Sequence, residues 1–193
     1  MPKSPTLAIT GDAAADALLV SDPLALVIGM LLDQQITMEM AFRGPARLRE
    51  RLGGLDAAAI AAMAPDRFLA AFSEKPALHR FPGSMGARTQ ALCQYLTDEY
   101  GGDASALWAG VATGTELFDR VRALPGFGDE KAKIFVALLG KRFGVRPQGW
   151  EVACAPFSDA EPRSVADIDS AEALARVRAW KKAKKAAGRT KQD

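Results

Sequence analysis

An all-α fold is what this sequence predicts. Apolar residues recur at i, i+3, i+4 and i+7 in segment after segment, the pattern of helices with one buried face. No β alternation interrupts the stretch from Gly44 to Phe72, and the breaks between periodic segments carry Pro and Gly. With 49% hydrophobic residues in 193, the chain can bury a core as one compact unit or two small domains.

In chain order, Ala13 to Val20 is an Ala/Leu helix, and Ser21-Asp22-Pro23 starts another, a capping side chain standing ahead of a first-turn proline. Leu24, Val27, Ile28, Leu31 and Leu32 form the buried stripe of that second helix, which stops at the polar run Asp33-Gln34-Gln35-Ile36-Thr37. Met38, Met40 and Phe42 follow, the latter two as core. An Arg-rich helix is expected from Gly44 to Leu52, ended by Gly53-Gly54, then short helices over Leu55 to Met63 and Ala64 to Phe72, divided by Pro65. The phrase from Leu78 to Arg88 reads as a Pro-Gly turn before a helix from Arg88 to Glu99, whose inner face is Ala91, Leu92, Tyr95 and Leu96. His79, the single histidine, is assigned no chemistry. After Tyr100-Gly101-Gly102-Asp103, a short helix spans Ala104 to Thr113.

The stretch from Glu116 to Gly144 is the most informative. Leu117, Phe118 and Val121 mark a helix that Leu124-Pro125-Gly126 stops, because proline disfavours αR for the residue before it. Ala132, Phe135, Val136, Leu139 and Phe143 mark the next helix. Gly126 and Gly128 bracket Phe127, and both are expected at positive φ, so that successive backbone N–H groups point outward together at a helix N-terminus. With Lys131 and Lys133 close behind, such a mouth can hold a phosphate without reading a base.

The string Leu124-Pro125-Gly126-Phe127-Gly128, followed by Lys131-Ala132 and a long apolar helix, resembles the hairpin of the helix-hairpin-helix (HhH-GPD) base-excision DNA glycosylases. That resemblance implies a six-helix domain over residues 21–144 with its hairpin at 124–128, and a smaller part formed by residues 1–20 and 145–193. It implies duplex DNA as partner, gripped through Pro125, Gly126, Phe127, Gly128, Lys131 and Lys133. It also implies that Gln34 and Gln35 lie in the turn that fills the gap left by an extruded base, with Met38 near the base pocket.

The family also places an aspartate shortly after the second hairpin helix, where it stabilises an oxocarbenium-like sugar. Counting without gaps from Ala132 brings Gln148 to that position; counting from Phe143-Gly144 brings Glu151. Glutamine cannot act as a base, whereas Glu151 has the right charge and one methylene too many. The nucleophilic lysine of lyase-competent relatives falls at Glu130, one residue from Lys131. Asp129 and Glu130 suit the helix dipole but repel an approaching phosphate. Two functions therefore stand side by side: an N-glycosylase with Glu151 as its acid, and a DNA-binding or lesion-sensing module that has lost the chemistry.

Net charge is only +2, so a nucleic-acid face must come from local clustering. The tail from Arg176 to Asp193 supplies one, with Arg178, Lys181, Lys182, Lys184, Lys185, Arg189 and Lys191. Cys93 and Cys154 are far apart and in no metal spacing, which leaves no ligand set for a cysteine-bound iron–sulfur cluster and fits a reducing compartment. No signal-peptide pattern precedes the first helix, and the longest apolar run falls short of the roughly 20 residues of a membrane span. The expectation is a cytoplasmic monomer that uses no cofactor.

Overall fold

The computed structural model describes residues 5–193, so the first four residues of the flanking segment 1–20 lie outside the described residues. Ten α-helices follow one another: α1 Ala13–Ser21, α2 Pro23–Leu32, α3 Met38–Leu52, α4 Ala57–Ala62, α5 Pro65–Ser73, α6 Pro82–Tyr100, α7 Gly114–Arg122, α8 Asp129–Arg142, α9 Trp150–Ala153 and α10 Ala171–Ala186. Short 3-10 turns lie at Ala104–Leu107 and Val165–Asp167. The described residues contain no strand, only one isolated bridge between Thr113 and Gln148.

The core is built around α2 and α8. Asp22 caps α2, its carboxylate accepting from Ala25 N–H at 3.1 Å, and every residue from Leu24 to Leu32 is buried. The expected stripe is thus a helix buried all round, the pattern of a central element. In α8 the run from Ile134 to Gly140 is buried without a break. Glycines let helices approach: a Cβ on Gly29 would come within 2.7 Å of the Phe42 ring, and one on Gly44 within 2.5 Å of Leu32 Cδ1.

Three expected boundaries move. α3 runs unbroken from Met38 through Gly44-Pro45, where proline withdraws one N–H, because Thr37 caps it and Gly44 packs on Leu32 of α2. Phe42 is core, while Met40 is half-exposed on that helix. α6 begins at Pro82, six residues ahead of the expected Arg88, since Pro82 takes the first helical position and Gly86 packs on Phe72. Its buried face is Met85, Thr89, Leu92, Cys93 and Leu96, with Ala91 outside. The expected helix from Ala104 to Thr113 is only the 3-10 turn.

Of the flanking segments, α1 lies against α2 and α3. α10 reaches the start of α3, where Arg178 pairs with Glu39 and Lys181 Nζ lies 3.0 Å from Met38 Sδ. No single helix among the described residues is long and apolar enough to cross a membrane.

Candidate nucleic-acid interface

The hairpin is set by local chemistry. Thr113 caps α7 through Glu116 N–H at 3.1 Å. The chain then turns tightly: Leu124 N–H donates to Val121 and Phe127 N–H donates to Leu124. Gly126 adopts φ +85°, as the turn requires. Gly128 does not share that conformation; at φ −96° and ψ −179° it is extended backbone and serves as the N-cap of α8 without a capping side chain. The outward N–H groups therefore come from the helix start itself and not from paired left-handed glycines. The first intrahelical bond is Ala132 N–H to Gly128 at 2.9 Å. Among the described residues no acceptor takes the N–H groups of Gly128, Asp129, Glu130 or Lys131, which leaves the unsatisfied donors of a helix N-terminus facing outward.

The side chains around this mouth divide sharply. Phe127 is buried, edge-on to Phe135 at 6.1 Å between ring centroids, so only its backbone is available to a ligand. Pro125 and Lys133 are half-exposed, and among the described residues Lys133 makes no ion pair. Lys131, expected to reach a phosphate, turns inward. Its Nζ donates to the carbonyl oxygens of Met30 and Leu31, each at 2.8 Å, and reaches Asp33 O at 3.4 Å. A cation there satisfies the orphan carbonyls at the C-terminus of α2. Burial pushes this amine down to about 8 against the pull of Asp33.

The same contacts bring in the glutamine turn. A Cβ on Gly126 would lie 2.4 Å from Leu31 Cδ1, so the hairpin is seated on the end of α2. Gln34 is clamped: its Nε2 donates to Leu31 O at 3.2 Å, its Oε1 accepts from Arg88 at 3.3 Å, and its carbonyl lies 2.9 Å from His79 Nε2. Phe81 N–H donates to His79 Nδ1 at 3.0 Å, which makes Nε2 the protonated nitrogen and Gln34 O its acceptor. Gln35 is the glutamine left free, exposed and held at φ +57°, a left-handed conformation rare outside glycine. Asp33, behind it, has its carboxyl raised by burial despite the opposing charges of Lys181, Lys191 and Lys131.

Sequence reasoning left out three residues at this edge. Arg88 joins α6 to Gln34 and passes beside Gly126. Phe81, 44% exposed, stands at the N-terminus of α6 with the Arg80 guanidinium 5.4 Å from its ring. The signal for them was the Pro-Gly phrase from Leu78 to Arg88, whose proline opens a helix where a turn was expected.

The two residues that the alternative registers bring to the acid's position lie elsewhere. Gln148 has its backbone pinned between Ala112 O and Gly114 N–H, with the side chain exposed. Trp150 packs on Gly114 and Gly140, the ends of α7 and α8 remote from the hairpin, and Glu151 follows it on α9 with an exposed carboxylate. Neither neighbour gives Glu151 an apolar setting, because Trp150 is buried and Val152 is 82% exposed. The hairpin, Gln34 and Gln35 are brought together; Gln148 and Glu151 do not join them.

The profile of the HhH-GPD superfamily of base excision DNA repair proteins matches residues 28–192. The chain belongs to that family. Among curated proteins none matches. One similar solved structure is a trapped endonuclease III–DNA covalent intermediate, an estranged-adenine complex, at 17% identity and a TM-score of 0.44, with 70% of this chain and 71% of that one covered. The match runs from within α2, across the Leu124–Gly128 turn, into α10 and the basic tail.

Proposed function

We propose that this HhH-GPD protein binds duplex DNA and engages a damaged nucleotide extruded from the stack, with hydrolysis of the N-glycosidic bond as its reaction. One observation carries the reading. The unsatisfied N–H groups at the start of α8 and the exposed Gln35 belong to a single unit, fastened by Lys131 on the last carbonyls of α2 and by Gly126 on Leu31. Donors for a phosphate and a side chain able to enter the helix are thus held in fixed relation. Phe81, Arg80 and Arg88 border the same unit and offer an aromatic surface and cations to the duplex.

A second reading, a lesion-sensing module without catalysis, is favoured by the uncharged Gln148 in the ungapped register and by the exposed position of Glu151 on α9. Base release decides between them. Duplexes each carrying one damaged base are incubated with wild type, Glu151→Gln and Gln148→Asp proteins, and binding is measured in parallel. Release by wild type that is lost in Glu151→Gln with binding kept assigns the acid to Glu151. Binding without release, and release gained by Gln148→Asp, identifies a module. A wild type that binds no duplex sinks both readings.

A further inference from the structure

Asp129 and Glu130 pose a problem for a phosphate-binding mouth, since they put two carboxylates beside the free N–H groups of α8. The structure answers it with two cations from opposite sides. Arg122, on the last turn of α7, pairs with Asp129. Lys191 Nζ lies 3.3 Å from Glu130 Oε1, and Gln192 Nε2 donates to Glu130 Oε2 at 3.2 Å. The C-terminal segment is thus anchored on the first turn of the hairpin helix.

It is anchored from behind as well. Arg163 Nη1 donates to Lys191 O at 3.0 Å while its Nε holds Asp159 at 2.8 Å, and Asp193 closes the end of the segment by accepting from Thr190. The Trp180 ring lies between Arg163, at 5.3 Å from its centroid, and Lys184, at 5.0 Å. Between Glu130 and this segment runs an open cavity of about 560 Å³. Its lining includes Lys181, Lys184, Lys185, Arg189 and Lys191 against the single carboxylate of Glu130, which Lys191 already holds. Lys184, Lys185 and Arg189 form no ion pair among the described residues. Asp33 and Glu39 act on Lys181, and Asp193 acts on Lys184 and Arg189, yet cations outnumber carboxylates in the lining of this cavity, which reaches the mouth of the hairpin and makes a surface for a chain of anions.

We propose that the C-terminal segment and the start of α8 form one continuous phosphodiester-binding surface, in which Lys191 and Gln192 neutralise Glu130 and the cations of residues 184–189 take the neighbouring backbone phosphates of the duplex. The proposal rests on the duplex-binding reading above. It gives the basic tail a fixed position, and it explains how a hairpin with acidic residues at its helix start can accept DNA.

The test is duplex affinity as a function of salt for wild type, Lys191→Gln, Glu130→Gln, the double variant, and a triple Lys184→Ala/Lys185→Ala/Arg189→Ala variant, with thermal melts to confirm folding. Lys191→Gln weakens binding, Glu130→Gln strengthens it, and Lys191→Gln costs less in the Glu130→Gln background, where it has no acid to neutralise. The triple variant lowers the slope of log affinity against log salt by about one for each phosphate contact removed. Tighter binding by Lys191→Gln would overturn the proposal, since the segment would then be a strap that DNA must displace. Unchanged affinity and slope in the triple variant would overturn it too. A wild type that binds no duplex defeats the underlying reading, whereas wild-type binding that Gly128→Ala weakens and the tail variants leave alone defeats this proposal only.

Discussion

Lys131 Nζ sits 2.8 Å from the carbonyl oxygen of Leu31, and through that contact the hairpin helix holds the turn that presents Gln35. A lysine that the motif offers to a phosphate is spent on the architecture that aims a different residue.

Replacing Lys131 by Met keeps the stem and removes the three donors. The carbonyls of Met30, Leu31 and Asp33 then lose a partner in a half-buried position, at a cost of about 1–3 kcal/mol in unfolding free energy. Duplex affinity falls as well, because Gln35 is no longer held. Denaturation and anisotropy titrations check both; a variant as stable as wild type would mean that the contact contributes nothing.

The same amine gives a pH dependence. Its folded pKa of about 8 lies below the usual lysine value of 10.5. Between those values the unfolded chain still holds the proton that the folded chain has released, so stability rises with pH through this window. The component is absent in Lys131→Met. The difference between the wild-type and variant unfolding free energies should therefore shift in favour of wild type from pH 8 to pH 10; a constant difference excludes the linkage.

Gly126 and Gly128 should separate. Gly126→Ala puts a Cβ on a left-handed residue, costing about 1–2 kcal/mol, and drives it to 2.4 Å from Leu31 Cδ1, so this variant loses stability first. Gly128→Ala meets no atom within 4 Å and keeps an extended backbone, so it melts like wild type. Its methyl stands beside the free N–H groups, and it should lose duplex affinity. Equal melting temperatures for the two variants would contradict this geometry.

What the sequence made legible was whatever local chemistry decides. The hairpin was readable because Pro125 and Gly126 stop a helix wherever they occur, and the start of α2 because Asp22-Pro23 is a cap followed by a first-turn proline. Tertiary contacts decided the rest. Nothing near Lys131 in sequence announces that its acceptors are the carbonyls of α2, about a hundred residues earlier. Gln34 and Gln35 are chemically identical neighbours, and the contacts of Gln34 with Leu31, His79, Met85 and Arg88 tell them apart. Gly128 was expected to mirror Gly126, yet a helix N-cap needs extended backbone there. The candidate acid was the least legible part, because two registers through an irregular loop place different residues at one position, and α9 then turns Glu151 toward solvent.

The two glutamines give the fourth prediction. Gln34→Ala removes contacts to Leu31, Met85 and Arg88 and should cost about 1 kcal/mol of stability. Gln35→Gly relieves a left-handed non-glycine residue and should stabilise the fold by about 1 kcal/mol while abolishing any preference for a duplex with a missing or extruded base. Melting curves and competition between intact and base-lacking duplexes read the two effects. Stability lost in Gln35→Gly, or a preference retained, would remove Gln35 from the proposed role.

The most direct measurement is the affinity of the wild-type protein for an undamaged duplex between low and moderate salt, repeated on several unrelated sequences. A hairpin that holds phosphates by backbone donors, with neighbouring cations on adjoining phosphates, predicts little dependence on sequence. With three to five phosphate contacts it predicts a slope of roughly −3 to −5 in log affinity against log salt. A slope near zero, or affinity that follows base sequence rather than salt, would contradict the account.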